Sequence, residues 1–416
     1  MDISTIFDQL LQDVWFELTF LLLVSLLASF VFARFGQPKV IGYIIVGVLI
    51  GPSVLNIIVP AVDPITGLPL SETGLPESVM MLAQLGSIVL LFMIGLDCDL
   101  KEVYTRRSIA IALGGVILPW VAGFLVADAM GYGTDAVFIG ATLVATSVAI
   151  TAGVTSELGM IGTPVAYAIV GAAVVDDVLG MVVLAISKSL SGAGGFDALE
   201  ITGILVAAVL FIVLGAWLGS KVLGKLVYNV QISGFRRKLP MSGFILVLTI
   251  AFLYSFVAEL IGLSAIVGAF VAGTAFSGSA MRDGFRKGTM YLEAIFVPLF
   301  FVSLGVIVDI RAIGDGIWFA VVLTIIAFAT KIVGCWAPAR LTGMNAWDSL
   351  AVGVGMTPRL EIALIIAFIG RASEIIDDQV YAIIVFMGIA TSVFAPMLLK
   401  MTLRRGGHQL LSLDKA

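Results

Sequence analysis

The chain is written in long apolar runs separated by short clusters of charged residues, glycine and proline. A helix needs about 20 mostly apolar residues to cross a bilayer core. Breaking the sequence at its polar clusters predicts thirteen transmembrane spans, at 14–33, 39–58, 79–97, 108–130, 135–156, 162–187, 200–223, 240–262, 264–277, 289–308, 315–339, 346–370 and 379–400. The ninth is short for a crossing. In span 2, Gly47 and Gly51 have the spacing of small residues that let two membrane helices approach closely. The N-terminus carries Asp2, Asp8 and Asp13 where a cleavable signal would need a basic flank, so none is expected.

Composition and charge sharpen this plan. The 416 residues are 60% hydrophobic and 12% charged, where a soluble domain carries about 25% charge. That excludes a nucleic-acid binder, a secreted disulfide scaffold and an ordinary soluble enzyme. Cys98 and Cys335 have no CxxC partner, and His408 is the only histidine. Structural zinc and histidine acid/base chemistry therefore lack material, and no cofactor is expected. With the N-terminus outside, 18 of the 23 lysines and arginines fall in cytoplasmic segments, against Lys188, Arg311 and Arg371 outside. Lys331 and Arg359 remain inside spans. This asymmetry supports both count and orientation, because one missed span would scramble it.

The chain also resembles itself. Residues 86–103, GSIVLLFMIGLDCDLKEV, align with residues 296–313, FVPLFFVSLGVIVDIRAI, placing Gly95 on Gly305, Asp99 on Asp309 and Lys101 on Arg311. The same offset places Ser147 of TLVATSVAIT on Thr357 of GVGMTPRLEI. It carries span 3 to span 10 and span 5 to span 12, an odd displacement, so paired segments cross in opposite senses. The expected fold is an all-α polytopic membrane protein of two inverted six-helix repeats, spans 1–6 and 8–13, with span 7 as connector. Secondary transporters share this architecture. The basic segment 221–238 reads as a cytoplasmic junction between the halves.

Few residues are left to carry chemistry. Asp176 and Asp177 lie near the middle of span 6, where each carboxylate costs at least about 2.5–3.5 kcal/mol. Neighbours on a helix point about 100° apart, so both can flank one cavity. Two carboxylates in a partly dehydrated site repel, and either a hard monovalent cation or protons relieve the repulsion. Competition between the two is the basis of cation/proton exchange. Lys331, central in span 11, is either an ion-pair partner for span 6 or a proton carrier. In span 12, Arg359 and Glu361 adjoin Pro358, which interrupts the hydrogen-bond ladder; mutual compensation at a helix break accounts for them as well as transport chemistry does. Thr146, Ser147 and Thr151 in span 5 offer hydroxyls and freed carbonyls to an ion, and the repeat relation to Thr357 singles them out. Glu259 and Glu293 sit nearer span ends, where interfacial solvation explains them.

The segments GQPKVIGYIIVGVLIGPSVLN, LFMIGLDCDL, ATSVAIT, VVDDVLGMVVLAI, FATKIVGC and GVGMTPRLEIALI together resemble the monovalent cation:proton antiporter superfamily. The chain is most similar to NapA-type Na+/H+ antiporters of the Kef-type branch. The resemblance implies a homodimer, with spans 4–6 and 11–13 as a moving core and spans 1–3 and 8–10 as the dimer scaffold. It implies that spans 5 and 12 are broken and cross near the ion site. By the same resemblance Asp177 is the primary Na+-binding carboxylate, and Asp176 pairs with Lys331. Two departures stand out. Leu360 occupies a position where relatives often have glycine. Kef-type potassium systems commonly carry QD in place of this DD pair and a long cytosolic nucleotide-binding domain, and no such regulatory domain is expected here.

The expected function is electrogenic Na+/H+ antiport, with Li+ as a further substrate, in the inner (cytoplasmic) membrane. The second carboxylate at Asp176 permits two protons per sodium. K+/H+ or mixed exchange is the nearest rival, because selectivity depends on ligand distances and hydration. An ion channel also places acids in a pore. An intramembrane aspartyl protease needs two aspartates from different helices and a GxGD motif, which this chain lacks.

Overall fold

The computed structural model describes residues 14–58, 77–133, 135–190, 198–306, 310–372, 375–408 and 410, and their regular structure is helical throughout. The first half contains α1 (Val14–Arg34), α2 (Lys39–Ile50), α3 (Glu77–Asp97), the single turn α4 (Leu100–Val103), α5 (Arg106–Ala129), α6 (Asp135–Thr142), α7 (Val148–Glu157) and α8 (Pro164–Leu190). A connector follows: α9 (Ala198–Leu218) runs through a π-helical turn at Gly219–Leu223 into α10 (Gly224–Arg236). The second half contains α11 (Ser242–Leu260), α12 (Ala265–Phe276), α13 (Arg282–Val306), α14 (Ile317–Leu341), α15 (Ala346–Gly355), α16 (Glu361–Ala372) and α17 (Asp378–Arg405).

Among the described residues, nine helices are long and apolar enough to cross a membrane, while α2 and α12 are shorter apolar helices. The protein is a multi-pass membrane protein. Its outer faces confirm the solvent: Leu27 and Phe30 on α1 and Val209, Val213 and Trp217 on α9 are exposed, an arrangement that water would penalise and lipid accepts.

Several expected boundaries differ, among them the start of span 10, where α13 begins at Arg282, and the ends of spans 2 and 7. Hydropathy predicts span 2 to residue 58, but α2 ends at Ile50, with Gly51 extended as its C-cap. The Gly51-Pro52 step stops the ladder because proline clashes with a continuing helix. Hydropathy predicts span 7 to end at 223, yet helix continues to Arg236; charge ends a hydropathic run without ending a helix.

Where helices touch, glycine sets the distance. Lipid tails give no hydrophobic drive for association, so close backbone approach takes its place. A Cβ on Gly47 would lie 2.2 Å from the Val302 carbonyl, and one on Gly305 equally close to the Ile44 carbonyl. The Gly47 and Gly51 face of α2 thus packs on α13, as its spacing suggests. Gly95 of α3 and Gly273 of α12 meet in the same manner. Gly114 of α5 and Gly334 of α14 form a third such contact. We predict that Gly114→Val, whose Cβ would fall 2.2 Å from the Gly334 carbonyl, lowers stability by about 1–3 kcal/mol. Gly203→Val, with nothing within 4 Å among the described residues, is the control. Thermal unfolding in detergent should shift for the first variant and not for the second.

Candidate functional site

Two of the expected spans are each split. Span 5 is α6 and α7, separated by residues 143–147; span 12 is α15 and α16, separated by residues 356–360. A break inside a membrane helix frees backbone groups that lipid cannot satisfy, and here the two breaks satisfy each other. Ser147 donates its backbone N–H to the Pro358 carbonyl at 2.8 Å. Thr146 donates its hydroxyl to the Met356 carbonyl at 3.1 Å, and Thr151 donates to the Gly355 carbonyl at 2.9 Å. The Ser147 hydroxyl also caps α7 by accepting from Ile150 N–H. Thr357 bonds back to Val354, one turn earlier in its own segment. Thr146, Ser147, Thr151 and Thr357 are all buried.

Two buried cations take up further carbonyls, at the breaks and on the helices beside them. Arg359, fully buried, donates from Nε to the Leu143 carbonyl at 2.8 Å and from Nη1 to the carbonyls of Ala327 and Thr357 at 3.0 and 3.3 Å. Each half-helix ending at a break points the negative end of its dipole there, so a guanidinium compensates both. The side chain of Glu361 lies outside the described residues. Among the described residues, Arg359 serves the breaks through the carbonyls of Leu143 and Thr357.

Lys331, also fully buried, donates to the Val144 carbonyl at 2.6 Å, the Gly115 carbonyl at 2.9 Å and Asp176 Oδ1 at 2.9 Å. The Gly115 carbonyl is available because residue 119 is proline, inside α5. Proline has no N–H to donate to the carbonyl four residues earlier, and the ammonium occupies that place. Three acceptors match the three protons of a lysine ammonium. Asp176 is fully buried and Asp177 is 3% exposed. The structure thus brings α5, α8, α14 and both breaks to one buried centre of Asp176, Lys331 and Arg359, with Asp177 buried next to Asp176 in α8.

On the side of the predicted basic face lies a cavity of about 720 Å³, lined by residues from α2, α3, α7 and α13 and including Glu157, Asp283, Arg286, Lys287 and Glu293. The sequence pattern does not single out Glu157, and it explains Glu293 by interfacial solvation. One signal pointed to Glu157: an acid in the last turn of a helix opposes the dipole.

The family model for the transmembrane sodium/hydrogen exchanger matches residues 20–405. The chain belongs to the sodium/hydrogen exchanger family. The exchanger is 36% identical over 94% of its length to the Na(+)/H(+)-K(+) antiporter GerN of Bacillus cereus, covering 96% of that protein. It is 31% identical to an Na(+)/H(+) antiporter of Enterococcus hirae, over 92% of this chain and 96% of the relative. Among solved structures, the sodium proton antiporter MjNhaP1 of Methanocaldococcus jannaschii superposes with a TM-score of 0.62 at 15% identity, over 93% of this chain and 96% of that one. That likeness extends to the fold alone. The family is one of membrane transporters, so the aspartyl-protease alternative is set aside.

Proposed function

We propose that this exchanger carries out electrogenic Na+/H+ antiport by alternating access, with Li+ as a further substrate and two protons moved per sodium. The observation that carries this reading is the buried centre: two adjacent carboxylates beside two mutually bonded helix breaks, with the Asp176–Lys331 pair at 2.9 Å. Asp177 is the primary cation ligand in this reading. Asp176 is held by Lys331 when protons are loaded. Carbonyls and hydroxyls at the breaks complete the coordination, and no resident cofactor is needed.

Thirteen crossings follow if each broken pair counts as one and α2 and α12 each cross. The N-terminus is then outside and the C-terminus cytoplasmic, in the inner membrane. The inverted repeat gains support from the contact of Thr146 with Met356, which are 210 residues apart. That is the offset between Gly95 and Gly305, and residues related by a two-fold axis touch only at the axis. Spans 1–3 and 8–10 form the scaffold of a homodimer, and spans 4–6 and 11–13 the moving core. Placement in the Kef-type branch, near the NapA-type antiporters, is the narrower form of the proposal.

The test is proton flux in sealed proteoliposomes carrying an internal pH dye. Addition of Na+ or Li+ should drive proton movement that saturates with cation and responds to an imposed membrane potential. A downhill conductance without coupling would make it a channel. Flux indifferent to potential would remove the two-proton stoichiometry. K+ is the second reading, favoured by the likeness to a protein named as an Na(+)/H(+)-K(+) antiporter; flux on K+ addition alone would select it.

A further inference from the structure

Glu157 ends α7, the half-helix that starts at the break beside the buried carboxylates. Its Oε2 accepts the backbone N–H of Lys39 at 2.6 Å, across 118 residues of chain. Lys39 is the first residue of α2, and Pro38 before it supplies no side-chain cap. A helix begins with unsatisfied N–H groups and a positive dipole end, so the carboxylate of α7 caps α2 from outside. In its own helix the same carboxylate stands at the negative end, where charge is unfavourable. The favourable half of its placement lies across the boundary between two groups of helices.

That boundary is the one the exchange reading needs to move. α7 belongs to the group bearing the broken spans; α2 is fixed to α13 by the reciprocal contact of Gly47 and Gly305. The 720 Å³ cavity lies between them, with Gly153, Ser156 and Glu157 on one wall and Val40, Glu293 and Phe301 on the other. Glu157 reaches from wall to wall.

We propose that Glu157 is a positioning residue for exchange: its carboxylate docks α7 on the N-terminus of α2 and holds the conformation in which this cavity is open, and the bond breaks when the bundle moves. The proposal rests on the exchange reading for its transport consequence. Its conformational consequence stands apart. Removing the dock lowers the fraction of molecules open to the cytoplasmic face, and apparent affinity at that face falls in proportion to the competent fraction.

The experiment compares the parent with Glu157→Ala and Glu157→Gln in inside-out and right-side-out membrane vesicles. A hydrogen bond to a charged group is worth enough to shift an equilibrium about tenfold or more. For Glu157→Ala we expect the KM for cation offered at the cytoplasmic face to rise by up to about tenfold, with KM at the external face unchanged or lower. Glu157→Gln, which keeps an acceptor oxygen without the charge, should fall between. Unfolding temperature should stay near that of the parent. Equal slowing at both faces with a lowered unfolding temperature would mean a structural cap only, and would overturn the proposal, as would an unchanged KM at both faces. A second readout needs no transport. Met93 lines the cavity and is buried, so Met93→Cys should react with an impermeant maleimide several-fold more slowly once Glu157→Ala is added. Equal labelling rates overturn the dock. Absent flux in the parent with slowed labelling would instead remove the exchange reading and keep the dock.

Discussion

Asp177→Asn is expected to abolish cation-driven proton flux, by at least about 100-fold, while the protein still folds. The argument is one of charge. Asparagine keeps the shape and one oxygen of aspartate but has no negative charge to offset a partly dehydrated cation, and it takes up no proton in exchange. Charged groups at bilayer depth are costly, so removing this one should leave thermal stability unchanged or raise it. Asp176 does not substitute, because Lys331 holds its Oδ1 at 2.9 Å. A second signature follows from linkage. A cation that binds only the folded protein stabilises it in proportion to the logarithm of its occupancy, so Na+ should raise the unfolding temperature of the parent and not of Asp177→Asn. Full exchange by the variant in proteoliposomes would sink the site assignment.

Much of this centre was legible because so few charges are retained within apolar runs. Asp176, Asp177, Lys331 and Arg359 stand out by residue type alone, and the fully buried positions of Asp176, Lys331 and Arg359 agree with that selection. The acceptors of the two cations were not legible. Lys331 and Arg359 end mainly on backbone carbonyls, which every residue possesses, so only the fold decides which ones are free. Pro119 was the visible half of one such clue: it empties the Gly115 carbonyl, but nothing in α5 says that a lysine from α14 will arrive there. Glu157 escaped for a related reason. Its partner is a backbone N–H at the start of α2, and hydropathy does not register a carboxylate that leaves its own helix to cap another. Boundaries failed where hydropathy and helicity part, at Gly51-Pro52 inside an apolar run and at the basic turns of α10 beyond one.

The ion pair itself supplies the second large effect. Asp176 and Lys331 are both fully buried, and removing one partner of such a pair typically costs about 3–5 kcal/mol, because the survivor keeps its desolvation cost without its compensation. The two losses should differ. Asp176→Asn leaves the ammonium with the Gly115 and Val144 carbonyls as acceptors. Lys331→Met strands those two carbonyls together with a carboxylate whose Oδ2 has no hydrogen-bond partner among the described residues. Lys331→Met should therefore be the more destabilising, and the double variant Asp176→Asn/Lys331→Met should recover the part of the loss owed to the unpaired carboxylate, since buried pairs are often replaceable by uncharged groups of similar size. Unfolding curves for the four proteins give the coupling directly; additive losses would mean the pair is not coupled. Transport should separate from stability in the double variant. With Asp177 as its remaining carboxylate, one proton per cation is the most it can exchange, so its flux should become insensitive to an imposed potential while the parent's responds. A double variant that still responds to potential would place the second proton elsewhere than on this pair.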